Sequence, residues 1–506
     1  MTSYICFPDA TAMNHTFPET QVYIDGRWQD AATTEVFESI NPATGLPVSS
    51  LPLGSAEDID RAVASARNAL HGEWRTLDPS ERGRMLYRVA AEMRKQKETL
   101  ALLDTSDMGK PITDSRDNVE AGAQIFEFYA GLTDKIHGAV TPVPGENFNY
   151  TLREPVGVVA SITPWNFPIW MASMKLAPAL ACGNAVVLKP AEQSPSSALE
   201  LMTIIDELGF PPGVVNVVTG DGPTTGAALA GHEAIDHISF TGSSEVGREV
   251  AAIAGRNLVG TTLELGGKTP TVVFADADLE QAVTTAIMAI CANQGQICVS
   301  ASRLVIEESI REPFVKEFVK RVERLKVGNP LDEDTHMGTL VDGTQYERVM
   351  GYIEQGKKVA DLLTGGGPLH DPADAPGYYM KPTVFDRVPA DASIVQDEIF
   401  GPVMSVIPFT DEEEAIALAN RTRYGLAAWI FTSDLRKAHR FAREVEAGIV
   451  AVNRMGGFYP LTPYAGQKVS GVGQESGISG AIESYTRVKS VTINLDREPS
   501  PWGDPR

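Results

Sequence analysis

Apolar positions recur along this chain with two different periods, and the change between them divides it. Ile59, Ala62, Val63, Ala66 and Leu70 fall on one face of a helix that Ser55 can cap, with Glu57 and Asp58 in its first turn. Residues 80–130 keep the helical period, with Leu86, Val89, Ala90 and Met93 as the apolar stripe. From Val156 short β-branched runs take over: Val156–Ile162, Ala185–Leu188, Val214–Val218 and His237–Phe240, separated by amphipathic stretches such as Ser197–Leu208. That alternation predicts a parallel sheet wrapped by helices. Leu304–Glu307, Ala428–Phe431 and Ile449–Val452, with helices over Arg311–Leu325 and Glu412–Asn420, predict a second such layer. Tyr23–Trp28 reads as a hairpin around Asp25-Gly26, Gly365–Pro382 as a surface loop and Ser490–Leu495 as a late strand.

The 506 residues exceed one ordinary core, so two or three domains are expected. A net charge of −23 argues against a nucleic-acid footprint and against an anionic membrane surface. No apolar run reaches the roughly 18 residues of a membrane span. Met1 to about Glu19 lacks the cationic start and apolar core of a secretory signal and is expected to be a loose lead-in, as is the Pro-rich end after Leu495. Cys6, Cys182, Cys291 and Cys298 form no CxxC pair, so neither a disulfide framework nor a metal site is expected. A reducing, cytoplasmic setting follows.

Several stretches carry candidate chemistry. Cys298, in Gly-Gln-Ile-Cys, sits on a turn between an apolar helical run and a strand; it reads as a nucleophile or as a buried structural thiol. A helix end or a bound cation would favour its thiolate. Asn166, in Pro-Trp-Asn-Phe-Pro, either aims an amide donor into a cleft or closes its own turn. Glu264 lies between leucines before Gly266-Gly267, where apolar neighbours would raise its pKa toward that of a general base. Lys189 and Glu192 end a strand, where they either hold ribose hydroxyls or form a surface ion pair. Gly220–Gly226 is a glycine turn that misses the G-x-G-x-x-G spacing. Ser243, after Phe-Thr-Gly, either caps a helix or marks a helix start that approaches a pyrophosphate. Glu398 and Phe400 sit in Glu-Ile-Phe-Gly-Pro-Val, a turn that could clamp a ribose and a ring.

Taken in order, Pro-Trp-Asn-Phe-Pro, Lys-Pro-Ala-Glu, Phe-Thr-Gly-Ser, Leu-Glu-Leu-Gly-Gly-Lys, Gly-Gln-x-Cys and Glu-Ile-Phe-Gly-Pro-Val resemble the NAD(P)-dependent aldehyde dehydrogenase superfamily, from about residue 20 to about residue 495. The resemblance implies an α/β fold: a Rossmann-like cofactor domain over residues 1–131 and 155–266, an α/β catalytic domain over 267–470, and a small bridging β element for oligomerisation from 132–154 and 471–506. It implies NAD-dependent oxidation of an aldehyde to the acid, with Cys298 as nucleophile, Asn166 and the Cys298 N–H holding the oxyanion, and Glu264 activating water. Lys189 and Glu192 then match the adenosine-ribose pair, Ser243 the pyrophosphate contact, and Glu398 and Phe400 the nicotinamide-ribose clamp. Ile162, Thr163, Trp165, Gly222 and Val246 are expected along the cofactor groove. Glu192 implies NAD over NADP, because a carboxylate there repels a 2′-phosphate. A homodimer or homotetramer is implied, built on the bridging strands.

The substrate tunnel is expected to be apolar and aromatic: Trp170, Met174, Ile297, Val299, Phe458 and Tyr464. This points to an aromatic or medium-length apolar aldehyde; betaine aldehyde in an aromatic cage, or a semialdehyde met by Arg454, are alternatives of the same chemistry. A catalytically idle member kept as a binding protein is the reading from another class, and intact Cys298, Glu264 and Asn166 oppose it. The late segment departs from the family pattern: Tyr464, Ala465 and Gln474 replace Phe, Gly and Arg, and Arg487 replaces a Glu. A rewired subunit contact near Gln474 and Arg487 is the expectation.

Overall fold

In the computed structural model, which describes residues 17–370 and 376–495, two parallel-rich sheets stand side by side. The lead-in to residue 16 and the end from residue 496 lie outside the described residues, as does part of the loop predicted over Gly365–Pro382. The first sheet has eight strands; its five parallel ones run spatially as Val215–Val217, Ala185–Lys189, Val158–Ile162, His237–Thr241 and Gly260–Glu264. Numbered in chain order that is 3-2-1-4-5, a doubly wound arrangement with its switch point between Val158–Ile162 and His237–Thr241. All five residues of Val158–Ile162 and of Ala185–Lys189 are buried, as strands covered on both faces require. The N-terminal hairpin adds an antiparallel edge, with Asp25 and Gly26 at φ 57° and 71°, the mirror-image turn its sequence predicts. Ser55 caps the Ala56–Ala69 helix in a reciprocal capping box with Asp58, worth about 1 kcal/mol.

The second sheet has seven strands, with Pro270–Val273 and Arg303–Glu307 central and Asp361–Thr364 as an antiparallel edge. The third sheet is small: Thr486–Asn494 pairs along all nine residues with Asn147–Pro155, which also pairs with Val140–Thr141. The bridging strand therefore starts at Thr486. Residues before it, expected to belong with it from 471, lie elsewhere: Gly471–Val472 extends the first sheet beside Glu264, and the Ile478–Tyr485 helix buries Ala481 and Tyr485 in the first core. Among the described residues no helix is long and apolar enough to cross a membrane.

Candidate active site

The two sheets face each other across a cavity of about 760 Å³, and the segment before Cys298 is bent to reach it. The Leu279–Cys291 helix ends in a tight turn in which Asn293, Gln294 and Gly295 all take positive φ (46°, 57° and 73°). Two consecutive non-glycine residues there are strained, and strain of this kind persists only where surroundings over-determine it. Gln294 Nε2 donates to the Gly109 and Thr339 carbonyls, and Gln296 Oε1 accepts the Val341 N–H. A Cβ on Gly295 would sit 2.4 Å from Gly401, so only glycine passes. These contacts deliver Cys298, partly exposed, to the cavity wall.

Asn166 meets this turn directly. Its Nδ2 donates to the Gln296 carbonyl at 2.9 Å, and Asn293 Nδ2 donates to the Asn166 carbonyl at 3.0 Å. The side chain does not close its own turn: it spans 130 residues to the loop that carries Cys298. A primary amide has two N–H donors, so the second remains for a ligand.

Glu264 ends the Gly260–Glu264 strand, 3% exposed, and neither carboxyl oxygen has a hydrogen-bond partner among the described residues. Burial, reinforced by the Glu475 carboxylate and opposed by the Lys175 ammonium, holds its carboxyl well above the usual range. A solvated glutamate is thereby ruled out. The double glycine after it is a matter of clearance: a Cβ on Gly266 would lie 2.2 Å from Glu398 Oε2, and one on Gly267 2.2 Å from the Cys298 carbonyl.

Glu398 accepts the Gly267 N–H at 3.0 Å, and burial pushes its carboxyl up to about 7. Phe400, held at φ 61°, meets Trp165 edge-on at 5.2 Å. Arg348 and Gln345 of the Gly343–Gly356 helix fix this turn by donating to the Glu398, Ile399 and Phe400 carbonyls. Ser243 caps the Ser244–Asn257 helix by accepting the Val246 N–H, yet still lines the cavity; Val246 is 45% exposed on the helix's first turn. Trp170, Met174, Ile297, Val299, Phe458 and Tyr464 all line the same cavity. Trp170 lies edge-on to Phe458 at 4.7 Å and to Phe167 at 5.4 Å.

The remaining predicted groups stand apart from this cavity, at the ends of the first-sheet strands. Ile162 and Thr163 are buried, with the Thr163 N–H on the Lys189 carbonyl. Lys189 is 2% exposed, its Nζ on the Pro190 carbonyl and 3.3 Å from Glu192. This is no exposed surface pair. Gly222 opens the single turn Gly222–Gly226 that Asp221 caps.

Three features were not anticipated. Beneath Glu264, Lys175 Nζ donates to Glu475 Oε2 at 3.0 Å and to Ser239 Oγ at 2.9 Å, and Ser239 donates to Glu475 Oε1 at 3.0 Å. A lone lysine in the apolar Pro168–Ala181 helix was the available signal. Tyr464, read only as a tunnel aromatic, places its hydroxyl 3.3 Å from Cys298 Sγ. The helix end or cation expected to favour the thiolate does not face it: Glu264 and Glu398 do, and burial pushes the thiol up. Arg454 is exposed, stacked on Tyr459 and off the cavity wall. Gln474 donates to the Ser476 carbonyl, and Arg487 lies 3.5 Å from Asp236, which Arg67 also contacts.

A model of the aldehyde dehydrogenase family matches residues 28–491. The mitochondrial aldehyde dehydrogenase of Equus caballus is 45% identical over 485 residues, 95% of this chain and 96% of the relative. The chain belongs to the aldehyde dehydrogenase family. Solved structures agree: an aldehyde dehydrogenase from Bacillus cereus in its NAD+ complex matches with a TM-score of 0.92 at 41% identity, covering 95% of this chain and 97% of that one. An indole-3-acetaldehyde dehydrogenase from P. syringae, in complex with NAD+ and IAA, matches with a TM-score of 0.92 at 42% identity over 95% and 98%. This aldehyde dehydrogenase is therefore an enzyme of that class, with a mixed α/β fold.

Proposed function

We propose that this aldehyde dehydrogenase oxidises an aromatic or medium-length apolar aldehyde to its carboxylic acid with NAD, through a thioester on Cys298. The observation that carries the reading is convergence: Cys298, Asn166 and Glu264, drawn from three separate stretches, open on one cavity walled by Trp170 and Phe458. Cys298 Sγ attacks the carbonyl carbon. The oxyanion takes the free Asn166 N–H and the Cys298 backbone N–H; removing one such donor typically costs about 10²–10³ in rate. Bound NAD supplies the hydride acceptor. Glu264, ionised and otherwise unpartnered, takes a proton from water; the resulting hydroxide adds to the thioester, the acid leaves and the Cys298 thiolate returns.

The residues fit a dinucleotide. The switch point of a doubly wound sheet leaves a crevice at the carboxyl ends of its strands. Lys189 and Glu192 would hold the adenosine ribose there, Ser243 and the first turn of its helix the pyrophosphate, and Glu398 and Phe400 the nicotinamide ribose, with Ile162, Thr163, Trp165, Gly222 and Val246 alongside. The Glu192 carboxylate would repel a 2′-phosphate, which favours NAD over NADP. We assign residues 1–131 and 155–266 mainly to the cofactor, 267–470 to catalysis, and the three-stranded sheet to a homodimer or homotetramer. That sheet exposes Phe148, Leu152, Val488 and Ile493. A cytoplasmic setting fits the free cysteines Cys182, Cys291 and Cys298.

A panel of benzaldehydes, linear aliphatic aldehydes, betaine aldehyde and succinic semialdehyde, each with NAD and NADP, tests the reading through reduced nicotinamide. An aromatic or apolar preference above about tenfold, or ~1.4 kcal/mol of discrimination, is expected. A preference for betaine aldehyde would recast the aromatic wall as a cation cage, and a preference for NADP would sink the role of Glu192.

A further inference from the structure

Tyr464 stands where the family pattern has phenylalanine, so its hydroxyl adds a polar group to this wall of the tunnel. The hydroxyl lies 3.3 Å from Cys298 Sγ, and Cys298 is its hydrogen-bond partner among the described residues. Phe458 packs on the Tyr464 ring at 5.7 Å, and the Tyr464 backbone is anchored by the Glu475 N–H, which donates to its carbonyl at 2.9 Å.

The surroundings make that hydroxyl consequential. The charged side chains that face Cys298 are Glu264, from the Gly260–Glu264 strand, and Glu398, from the turn before Val403–Phe409; both disfavour a thiolate. Among the described residues the Val299 N–H favours it. Glu264 and Glu475 face the phenol, and Lys175, which faces Glu264, is held by Glu475 and Ser239. A thiolate can only accept, so the phenol must donate when Cys298 ionises, and a hydrogen bond to an anion is about twice as strong as a neutral one. Burial next to these acids keeps the phenol pKa well above its ordinary value, so it retains its proton.

We propose that Tyr464 is a positioning residue for the nucleophile: its hydroxyl donates to the Cys298 thiolate, favouring the ionised form and holding it toward the substrate. The thiolate appears twice in the cycle, as attacking group and as the group expelled from the thioester, and the same donor serves both. This rests on Cys298 being the nucleophile.

The test is Tyr464→Phe, which keeps the ring. Alkylation of Cys298 by iodoacetamide, located by peptide mass spectrometry, is followed against pH in NAD-free enzyme, alongside the ultraviolet thiolate band taken as a difference from Cys298→Ala. The midpoint should rise by about one pH unit, with alkylation roughly tenfold slower below both midpoints, and the acid limb of kcat/KM should move the same way. Phe458→Leu, which disturbs the wall without removing the donor, should change KM and leave the thiol midpoint in place. An unchanged midpoint in Tyr464→Phe overturns the proposal, as does an equal rise in Phe458→Leu, which would make the effect one of packing. If Cys298 in the parent enzyme resists alkylation and Cys298→Ala still turns over, the nucleophile assignment fails and Tyr464 falls with it.

Discussion

Substituting Glu475 with glutamine separates charge from shape in the buried network beneath Glu264. Glu475 and Lys175 are both fully buried, 3.0 Å apart, with Ser239 bridging them. Removing one partner of a buried pair costs about 3–5 kcal/mol, because the other charge is left uncompensated. The glutamine amide keeps the bond to Ser239, so the low end, about 3 kcal/mol, is expected. For a cooperative unit of roughly 150–250 residues that is a fall in Tm of about 6–12 °C. Lys175→Met combined with Glu475→Leu removes both charges and should recover most of the loss. The same substitution acts on Glu264. Burial and, after it, the Glu475 carboxylate raise its pKa, and the Lys175 ammonium lowers it; after Glu475→Gln burial still raises it, but of the two charges only the lowering one remains. Glu264 works ionised, and its activity is lost as pH falls through its pKa, so the acid limb of deacylation should move to lower pH. Scanning calorimetry of the NAD-free enzyme and the pH profile of steady-state turnover measure the two effects. A variant as stable as its parent, or an acid limb that moves upward, would refute the reasoning.

Two further outcomes are expected. Glu264→Gln should leave the first turnover nearly intact and slow the steady state by about 10²–10⁴, seen in stopped flow as a burst of one reduced cofactor per site; loss of the burst itself would move Glu264 to the acylation step. Val488→Lys together with Ile493→Lys, exposed on opposite faces of the Thr486–Asn494 strand, should shift the assembly to smaller species in analytical ultracentrifugation; an unchanged sedimentation coefficient would place the subunit contact elsewhere.

Much of the framework was legible in the order of residues because it rests on local periodicity. The Glu412–Asn420 helix appears with its expected ends, and the Val158–Ile162, Ala185–Lys189 and His237–Thr241 strands lie where β-branched runs placed them. The Asp25-Gly26 turn followed from two residues that tolerate positive φ. The residues gathered around the cavity were legible as motifs, since each keeps its chemistry within a few positions of chain. The bridging segment was less so: Gly471–Val472 carries no apolar alternation, and its place beside Leu263 and Glu264 is set by a strand far upstream.

Charge state and partnership were decided only in three dimensions. Glu264 is a desolvated carboxyl because packing buries it, and Glu475 and Lys175 then act on it from other elements, since Coulomb terms depend on distance in space, not along the chain. Asn166 was ambiguous until its amide reached Gln296, and Arg454 until its guanidinium settled on Tyr459 outside the cavity. Cys298 and Tyr464 are 166 residues apart. Nothing local links a tyrosine after Thr462-Pro463 to a cysteine after Gln296-Ile297. The sequence determined which groups this aldehyde dehydrogenase carries, and the packing of two sheets around one cavity decided which of them touch.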